Sequence, residues 1–317
     1  MSFDIGIIGL PNAGKSTLFS LLTEAEVEID SYPFTTIDPN IGVVKVKDDR
    51  LDKIAQAIEA EKKLYPTLKF VDIAGLIEGA HKGEGLGNKF LSHVRGCDGL
   101  VQVIKAYGDK SPEKDKETIK RELVMKDLEL LQNLKKKMRG DDRLPIIEKM
   151  ERQLSENFKS EDIELNEEEV EKVKEYQFLT LKPIFEIYNG KGKGFSIDLK
   201  MESEIEDLSA EERAELGIES NLDDFLVQCY NSFDLITFFT VAGKKAQGWT
   251  IRKGASIVEA AEKVHSDFKE NFKRAEVTDP ESLVFARSMK KAKGEGKVRI
   301  TGADYEVKNG DIIEFKI

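Results

Sequence analysis

The residues best suited to chemistry lie near the start of the chain, at 9–17, with the sequence GLPNAGKST. This run matches the pattern G-x-x-x-x-G-K-[ST], in which backbone N–H groups surround a phosphate. We expect Lys15 to neutralise the terminal phosphates of a nucleotide and Ser16 to coordinate Mg²⁺. The alternative is a chance glycine-rich turn. A buried strand predicted at 3–8 and a helix beginning at 16 favour the phosphate site.

The same loop supplies the other candidates for contact with the phosphates, namely Asn12, Ala13, Gly14 and Thr17. Asn12 is also a candidate ligand for K⁺, which would place positive charge where other enzymes use an arginine. The alternative for Asn12 is a loop-shaping side chain that hydrogen-bonds to the backbone.

An acid ends a predicted strand at 68–73, where ligands of open α/β sheets bind. We expect Asp72 to hold Mg²⁺ through a water molecule, and the N–H of Gly75 to contact the terminal phosphate. Residues 32–36 contain two threonines, one of which would reach Mg²⁺ only in the triphosphate state. Loss of the phosphate would release both segments, which predicts a molecular switch.

The elements around these residues alternate between strand-like and helical patterns, which predicts a largely parallel α/β sheet. The predicted strands are 3–9, 41–47, 68–73, 99–107 and 182–188. A charged insert at 113–177 has helical periodicity and predicts a helical hairpin of coiled-coil type, with a further helix capped by Asn166 and Glu169. The insert is either a solvated decoration or an arm that docks a large partner. Its predicted apolar positions are Val124, Leu128, Leu131, Met138, Ile147, Met150, Leu154 and Phe158.

The last part of the chain is β-rich and predicts a small mixed sheet crossed by one helix, which Ser256 and Glu259 cap. No catalytic cluster occurs there, and we interpret His265 as structural. Residues 236–317 carry 16 Lys and Arg against 12 Asp and Glu, whereas the 317-residue chain has a net charge of −11. The basic excess at 236–317 permits a local RNA contact. The net negative charge of the whole chain argues against nonspecific nucleic-acid binding.

The cysteines, the N-terminal residues and the length of the apolar runs limit which classes of protein are possible. The two cysteines, Cys97 and Cys229, form no metal-binding pattern, and we interpret them as reduced core residues of a cytoplasmic protein. The N-terminus has no signal-peptide pattern, and no apolar run is long enough to span a membrane. We therefore expect neither a membrane nor DNA as a partner.

Several runs resemble the Obg-related P-loop NTPases, and most closely the YchF / Obg-like ATPase family, which ends in a TGS (β-grasp) domain. The runs are 32–40, 72–76, 83–91, 239–243, 249–254 and 265–268. Together they extend the resemblance over nearly the whole chain. The domains implied are a discontinuous P-loop NTPase domain at 1–112 and 178–205, a helical arm at 113–177, a connecting helical region at 206–235 and a TGS domain at 236–317.

The resemblance implies Thr36 as the switch threonine on Mg²⁺, a preference for ATP over GTP, and association with the ribosome or ribosomal RNA. We therefore expect a slow ATPase that K⁺ and a partner stimulate. The alternatives are an Obg-type GTPase and a nucleotide-sensing module with incidental hydrolysis.

Three positions depart from the patterns of related proteins. Asn189 and Gly190 begin the base-reading segment, but Gly192 stands where an acid is typical, and Met201 is the expected packing surface for the base. Gln102 aligns with a family histidine proposed to assist hydrolysis. Leu76 replaces the glutamine that orients water in many related enzymes. The candidates left for that role are His81, Glu84 and Gln102.

Overall fold

The computed structural model describes residues 3–24, 40–73, 94–108, 111–138 and 140–317. The chain divides into two compact units. The P-loop unit comprises Asp4–Gly42 and Phe70–Asn221. The C-terminal unit comprises Met1–Phe3, Val43–Lys69 and Leu222–Ile317.

The strands and helices follow one another in the order that the sequence patterns predict, with several short elements added. The strands are β1 (Asp4–Ile8), β2 (Ile41–Lys45), β3 (Lys62–Leu64), β4 (Thr67–Asp72), β5 (Gly99–Ala106), β6 (Ile184–Gly190), β7 (Phe195–Ile197), β8 (Leu235–Ala242), β9 (Lys245–Arg252), β10 (Arg274–Thr278), β11 (Arg299–Thr301) and β12 (Ile312–Lys316). The α-helices are α1 (Lys15–Glu24), α2 (Asp49–Ala57), α3 (Pro112–Lys137), α4 (Leu144–Asn157), α5 (Glu167–Val173), α6 (Leu199–Glu206), α7 (Ala210–Leu216), α8 (Leu222–Ser232), α9 (Ile257–Val264), α10 (Ser266–Glu270), α11 (Pro280–Ala286) and α12 (Met289–Gly294).

The first sheet has the strand order β2-β4-β1-β5-β6-β7. β5 pairs in parallel with both β1 and β6, with Ile8 and Glu186 as the register partners of Gln102. This confirms the predicted α/β sheet, in which crossover helices separate parallel strands. Because parallel strands end at the same edge, the loop after β1 and the segment after β6 lie at one end of the sheet.

The charged insert forms the predicted pair of helices. α3 and α4 pack through one apolar cluster, to which α5 adds Val173. The buried members of this cluster are Val124, Leu128, Leu131, Met138, Ile146, Ile147, Met150, Leu154, Val173 and Phe178. Phe158 was also predicted to be apolar core and is 40% exposed. The helix ends at Asn157, and Phe158 adopts a left-handed φ of 54°, which turns its ring out of the stripe toward the guanidinium of Arg121. The asparagine cap of α5 is confirmed, since Asn166 and Glu169 form a capping box.

A buried carboxylate anchors α3 to the rest of the P-loop unit. Asp127 is fully buried, and its Oδ2 accepts hydrogen bonds from the backbone N–H and the hydroxyl of Thr180, both at 2.8 Å. Its Oδ1 accepts a bond from Arg95 Nη2 at 3.1 Å. Burial raises the pKa of Asp127, while Thr180 and Arg95 favour its charged form. These bonds satisfy a carboxylate that would otherwise be costly to bury.

The C-terminal unit contains the second sheet, with the strand order β11-β10-β12-β8-β9-β3. β8 and β9 form an antiparallel pair, whereas β12 pairs with β8 in parallel, so the sheet is mixed as predicted. Ser256 and Glu259 form the expected capping box at the start of α9. His265 caps α10, because its Nδ1 accepts the N–H of Asp267 at 3.1 Å, which confirms a structural role.

The segment 43–69 packs differently from the sequence expectation, which placed it in the NTPase domain at 1–112 and 178–205. In the structure its two ends, in β2 and β4, pair within the first sheet, whereas α2 and β3 between them pack within the C-terminal unit. Leu51 and Ile54 of α2 are fully buried in one cluster, together with Phe239, Ala246, Leu283 and Ile312. β3 pairs with β9. The pattern of an amphipathic helix shows that its apolar face must be buried, but not against which partner. The sequence pattern therefore could not assign α2 to the C-terminal unit.

Cys97 and Cys229 are both buried, and neither forms a disulfide within the described residues, as predicted for reduced core residues. Burial raises the pKa of Cys229 well above its usual value, which keeps it a neutral thiol. Within the described ranges, no helix has the length and apolarity needed to cross a membrane.

The substitution Ile54→Ala tests the packing of α2. Because Ile54 is fully buried, we expect its truncation to lower the free energy of unfolding by about 2–5 kcal/mol. Urea unfolding followed by circular dichroism measures the change. The control is Lys53→Ala on the exposed side of the same helix, for which we expect a change within about 0.5 kcal/mol. Equal effects of the two substitutions would contradict the packing of α2 in the core.

Candidate nucleotide-binding site

The phosphate loop connects β1 to α1, and α1 begins at Lys15, so the positive end of the helix faces the loop. Two of its glycines are required by close packing. A Cβ on Gly9 would lie 2.6 Å from the carbonyl oxygen of Val103. Gly14 has a φ of +106°, and its Cβ would lie 2.5 Å from Nδ2 of Asn189. The loop can therefore lie against the sheet and the base-reading segment only with glycine at these positions.

Lys15 and Asp72 form the charged centre of the site. The Lys15 side chain is buried, and its Nζ donates a hydrogen bond to the Leu10 carbonyl at 3.0 Å. Burial lowers the pKa of Lys15, and the negative charge of Asp72 opposes this shift. Burial raises the pKa of Asp72, while Lys15 and a hydrogen bond from Ser16 act in the opposite direction. The structure thus brings together the three residues predicted to contact the phosphates and Mg²⁺.

Asn189 joins the phosphate loop to the segment that follows β6. Its side chain is buried, with Nδ2 donating to the Ala13 carbonyl at 3.0 Å and Oδ1 accepting the N–H of Leu199 at 3.2 Å. Both polar atoms of the amide are therefore bonded to backbone. The side chain positions the loop relative to the first turn of α6, where the base is expected.

The segment after Asn189 is folded tightly against the tyrosine that precedes it. Gly190 has a φ of +109°, and a Cβ on it would lie 2.9 Å from the carbonyl oxygen of Ala106. A Cβ on Gly192 would overlap Cγ, Cδ1 and Cβ of Tyr188. The Gly192 N–H donates to Ser196 Oγ at 3.1 Å, which closes the turn. The Tyr188 ring thus occupies the space that a side chain at 192 would need, and this explains the glycine at that position.

Met201 lies at the start of α6, where Asp198 caps the helix by accepting the N–H groups of Lys200 and Met201, each at 3.1 Å. The Met201 side chain is 49% exposed. An exposed, polarisable thioether at this position can pack against a planar base.

Asn12 is exposed and adopts a left-handed φ of 61°. Its carbonyl accepts a hydrogen bond from the Tyr107 hydroxyl at 3.0 Å, and the Lys105 ammonium lies 4.5 Å from the centre of the Tyr107 ring. The backbone of Asn12 therefore shapes the loop, whereas its side-chain amide has no hydrogen bond within the described chain. Neither Tyr107 nor Tyr188 was singled out from the sequence, because an aromatic residue at a strand end carries no distinctive pattern.

Gln102 is buried in the middle of β5. Its Nε2 donates to the Lys116 carbonyl of α3 at 3.3 Å, and its Oε1 is buried without a hydrogen-bond partner in the described part of the chain. In this conformation the side chain of Gln102 bonds to α3 and not to the phosphate loop. The remaining predicted site residues, Thr36, Gly75 and His81, lie outside the described residues, as do Leu76 and Glu84.

Comparison with known proteins finds two family models, which match separate parts of the chain. The family model MMR_HSR1, described as 50S ribosome-binding GTPase, matches residues 4–144, and YchF-GTPase_C, described as a protein of unknown function (DUF933), matches residues 235–317. The chain is 38% identical to the ribosome-binding ATPase YchF of Bacillus subtilis, covering 100% of this chain and 99% of that one. The chain belongs to the YchF family. The Haemophilus influenzae YchF is also 38% identical, over 100% and 99% of the two chains.

A solved YchF structure agrees with this assignment. The Schizosaccharomyces pombe YchF GTPase superposes with a TM-score of 0.83 at 28% identity, covering 99% of this chain and 98% of that one. The alignment with the Bacillus subtilis YchF runs over 363 positions, whereas this chain has 317 residues. The bacterial relative therefore carries segments that this YchF chain lacks.

The substitution Gly14→Ala tests the close contact between the phosphate loop and Asn189. We expect nucleotide affinity to fall about tenfold or more, because the new methyl group would displace the loop from the Asn189 amide. Isothermal titration calorimetry with ADP and Mg²⁺ measures the affinity. Gly108→Ala is the matched control, since Gly108 also has a positive φ of +79° but nothing lies within 4 Å of an added Cβ. Similar losses in both variants would show that backbone strain, and not the Asn189 contact, is responsible.

Proposed function

We propose that this chain is a Mg²⁺-dependent ATPase that hydrolyses ATP to ADP and phosphate as part of a conformational switch. The observation that carries the proposal is the convergence of Lys15, Ser16 and Asp72 at the end of the sheet where the phosphate loop meets α1. Backbone N–H groups, one buried ammonium and one carboxylate are the groups that a metal-bound triphosphate requires.

The donors present fit a magnesium ion. The Ser16 hydroxyl and the Asp72 carboxylate lie close enough to interact, and both present oxygen, which Mg²⁺ prefers. Ser16 would hold the ion directly and Asp72 through a water molecule, with Thr36 joining them in the triphosphate state. The bound ion would neutralise charge on the phosphate oxygens.

Lys15 is the group that binds and stabilises the terminal phosphates in this proposal. Its Nζ now donates to the neutral carbonyl of Leu10 inside a buried site. Exchange of that carbonyl for a phosphate oxygen would pair the buried charge with an anion and hold the proton on the ammonium. A charge-assisted hydrogen bond of this kind is about twice as strong as a neutral one.

The base-reading segment supports ATP in preference to GTP. Guanine is typically recognised by a carboxylate that accepts its N–H groups, and the position expected to carry that acid is Gly192. The Tyr188 ring occupies the adjacent space. The relatives from Bacillus subtilis and Haemophilus influenzae are named as ATPases, which is in line with this preference. An Obg-type GTPase would need other contacts to read guanine, because residue 192 is a glycine and supplies no side-chain carboxylate.

The names of the relatives also support the ribosome, or its RNA, as the partner of this chain. Such a partner implies a cytoplasmic protein. The helical arm, α3 and α4, is the candidate docking element, because the bonds of Asp127 fix it to the P-loop unit. K⁺ is proposed as a second activating ion. The exposed Asn12 side chain has no hydrogen bond within the described residues, which leaves its amide oxygen available to a cation.

Single-turnover hydrolysis of labelled ATP tests the proposed activity. We expect slow release of phosphate by the protein alone and about 100-fold or faster release with ribosomes, because a partner can order the residues that position water. Lys15→Ala should reduce both binding and hydrolysis by about 100-fold. Asn12→Ala should abolish the difference between K⁺ and Na⁺ buffers.

Each alternative has its own result in this assay. Nucleotide binding without hydrolysis, even on ribosomes, would indicate a sensing module. Unchanged nucleotide affinity of Lys15→Ala would contradict the site itself. Equal turnover of the unmodified protein in K⁺ and Na⁺ would remove only the role of Asn12.

A pair of substitutions tests how the base is selected. Gly192→Asp alone should weaken binding of both ATP and GTP, because Tyr188 leaves no room for a side chain. Tyr188→Gly/Gly192→Asp removes all three overlapping atoms of residue 188 and should shift the affinity ratio toward GTP by about tenfold, the value of one hydrogen bond to a charged group. Competitive displacement of a fluorescent nucleotide measures both affinities. Tyr188→Gly is the control, and its thermal unfolding checks that β6 remains intact.

The result that would contradict this account is GTP preference in the unmodified protein. A second contradicting result would be that the Gly192→Asp variant binds either nucleotide as tightly as the unmodified chain does.

A further inference from the structure

A buried carboxylate lies on α6, one residue beyond Met201. The side chain belongs to Glu202, which is only 1% exposed. Within the described residues, no lysine, arginine or histidine forms an ion pair with it. A carboxylate taken out of water without a cation is costly unless hydrogen-bond donors compensate its charge. The donors around Glu202 therefore show what this side chain holds in place.

The donors come from two consecutive residues. Ser220 Oγ donates to Glu202 Oε2 at 2.8 Å, and Asn221 Nδ2 donates to Oε1 at 2.7 Å. The backbone N–H of Asn221 adds a bond to Oε2 at 3.1 Å. We name these three residues the Glu202 latch. Ser220 and Asn221 are the last residues of the P-loop unit, and α8 begins at the next residue.

The first turn of α6 is thus bonded at both of its ends. At its start, the N–H of Leu199 donates to Oδ1 of Asn189, whose Nδ2 donates to the phosphate loop. At its end, the N–H of Glu202 donates to the Asp198 carbonyl at 2.9 Å, while the Glu202 side chain bonds residues 220 and 221. The exposed Met201 side chain lies between these two anchors.

Separation of the latch would leave a buried negative charge without its donors. That cost is much larger than the loss of an ordinary surface hydrogen bond. The first turn of α6 and residues 220–221 therefore move as one body. A shift at Asn221 displaces the surface on which the base is expected, although Asn221 is 32 positions beyond Asn189 in the sequence.

From these contacts we propose that Glu202 is a positioning residue for the nucleotide base. Through Ser220 and Asn221 it holds the first turn of α6 in place, so that the affinity for the adenosine part of the ligand depends on two residues outside the base-reading segment. The inference rests on the proposed function, because it concerns the base of the bound nucleotide. The phosphates bind at the opposite anchor and do not depend on the latch.

A pair of ligands separates the base from the phosphates. ADP and pyrophosphate, each with Mg²⁺, are titrated into the full-length chain by calorimetry. We expect Glu202→Ala to weaken ADP binding by about tenfold, because the base surface is no longer preorganised, and pyrophosphate binding by less than about twofold. The matched control is Glu204→Ala on the same helix. Its side chain is 68% exposed and pairs only with Lys200 in the described chain, so both affinities should change by less than about twofold.

An exchange of donor and acceptor tests the latch itself. Asn221→Asp places a second carboxylate against Glu202, and we expect it to weaken ADP binding by about tenfold or more. Glu202→Gln/Asn221→Asp reverses the bond, since the new amide can donate to the new carboxylate and its oxygen can still accept the backbone N–H. We expect the double variant to recover ADP affinity to within about threefold of the unmodified chain. Thermal unfolding checks that every variant is folded at the temperature of the titration.

Three results would overturn the inference. The first is an equal loss of ADP and pyrophosphate affinity in Glu202→Ala, which would give the latch a general structural role. The second is an effect no larger than that of Glu204→Ala. The third is a double variant that binds ADP no better than Asn221→Asp alone. If the unmodified chain bound ADP no more tightly than pyrophosphate, the base-reading segment itself would be wrong, and the latch could not position a base.

Discussion

One buried amide fixes the geometry on which the nucleotide site depends. Asn189 bonds the Ala13 carbonyl on one side and the Leu199 N–H on the other, so the phosphate loop and the first turn of α6 are held at a set separation. The contact exists only because Gly14 has no side chain. A nucleotide held at both ends, by its phosphates and its base, would need these two regions aligned, and the Asn189 bonds hold them so without a ligand. Such preorganisation lowers the cost of ordering on binding.

Much of this site could be predicted from the sequence because its chemistry imposes a spacing. The glycines, Lys15 and Ser16 must follow one another at fixed intervals, and Asp72 must end a strand. The parallel sheet and the apolar stripe of the arm follow from hydrophobic periodicity, which is a local property. Phe158 fits the helical period but lies just past the end of α4. Hydrophobic periodicity does not show that a residue in the left-handed conformation ends the helix there.

Most of the features that were not predicted are tertiary. The contact between Tyr188 and Gly192 is local, but the sequence does not show that the turn between them folds back onto the ring. Nothing near Tyr107 shows that its hydroxyl supports Asn12. The bond from Gln102 to α3 is of the same kind, because it depends on which helix covers β5. Pattern analysis identifies residues by type and interval. It does not identify residues whose role arises from a neighbour distant in the chain.

The packing of α2 within the C-terminal unit has a consequence for biosynthesis. α2 buries Leu51 and Ile54 against Phe239, Leu283 and Ile312, which the ribosome adds only after residues 70–221. The nascent polypeptide therefore carries the apolar residues of α2 without their partners while residues 70–221 are being made, a state that favours recruitment of chaperones. For the same reason, a fragment beginning at residue 235 would expose the surface that α2 normally covers, and the two units cannot be separated by a single cut in the gene.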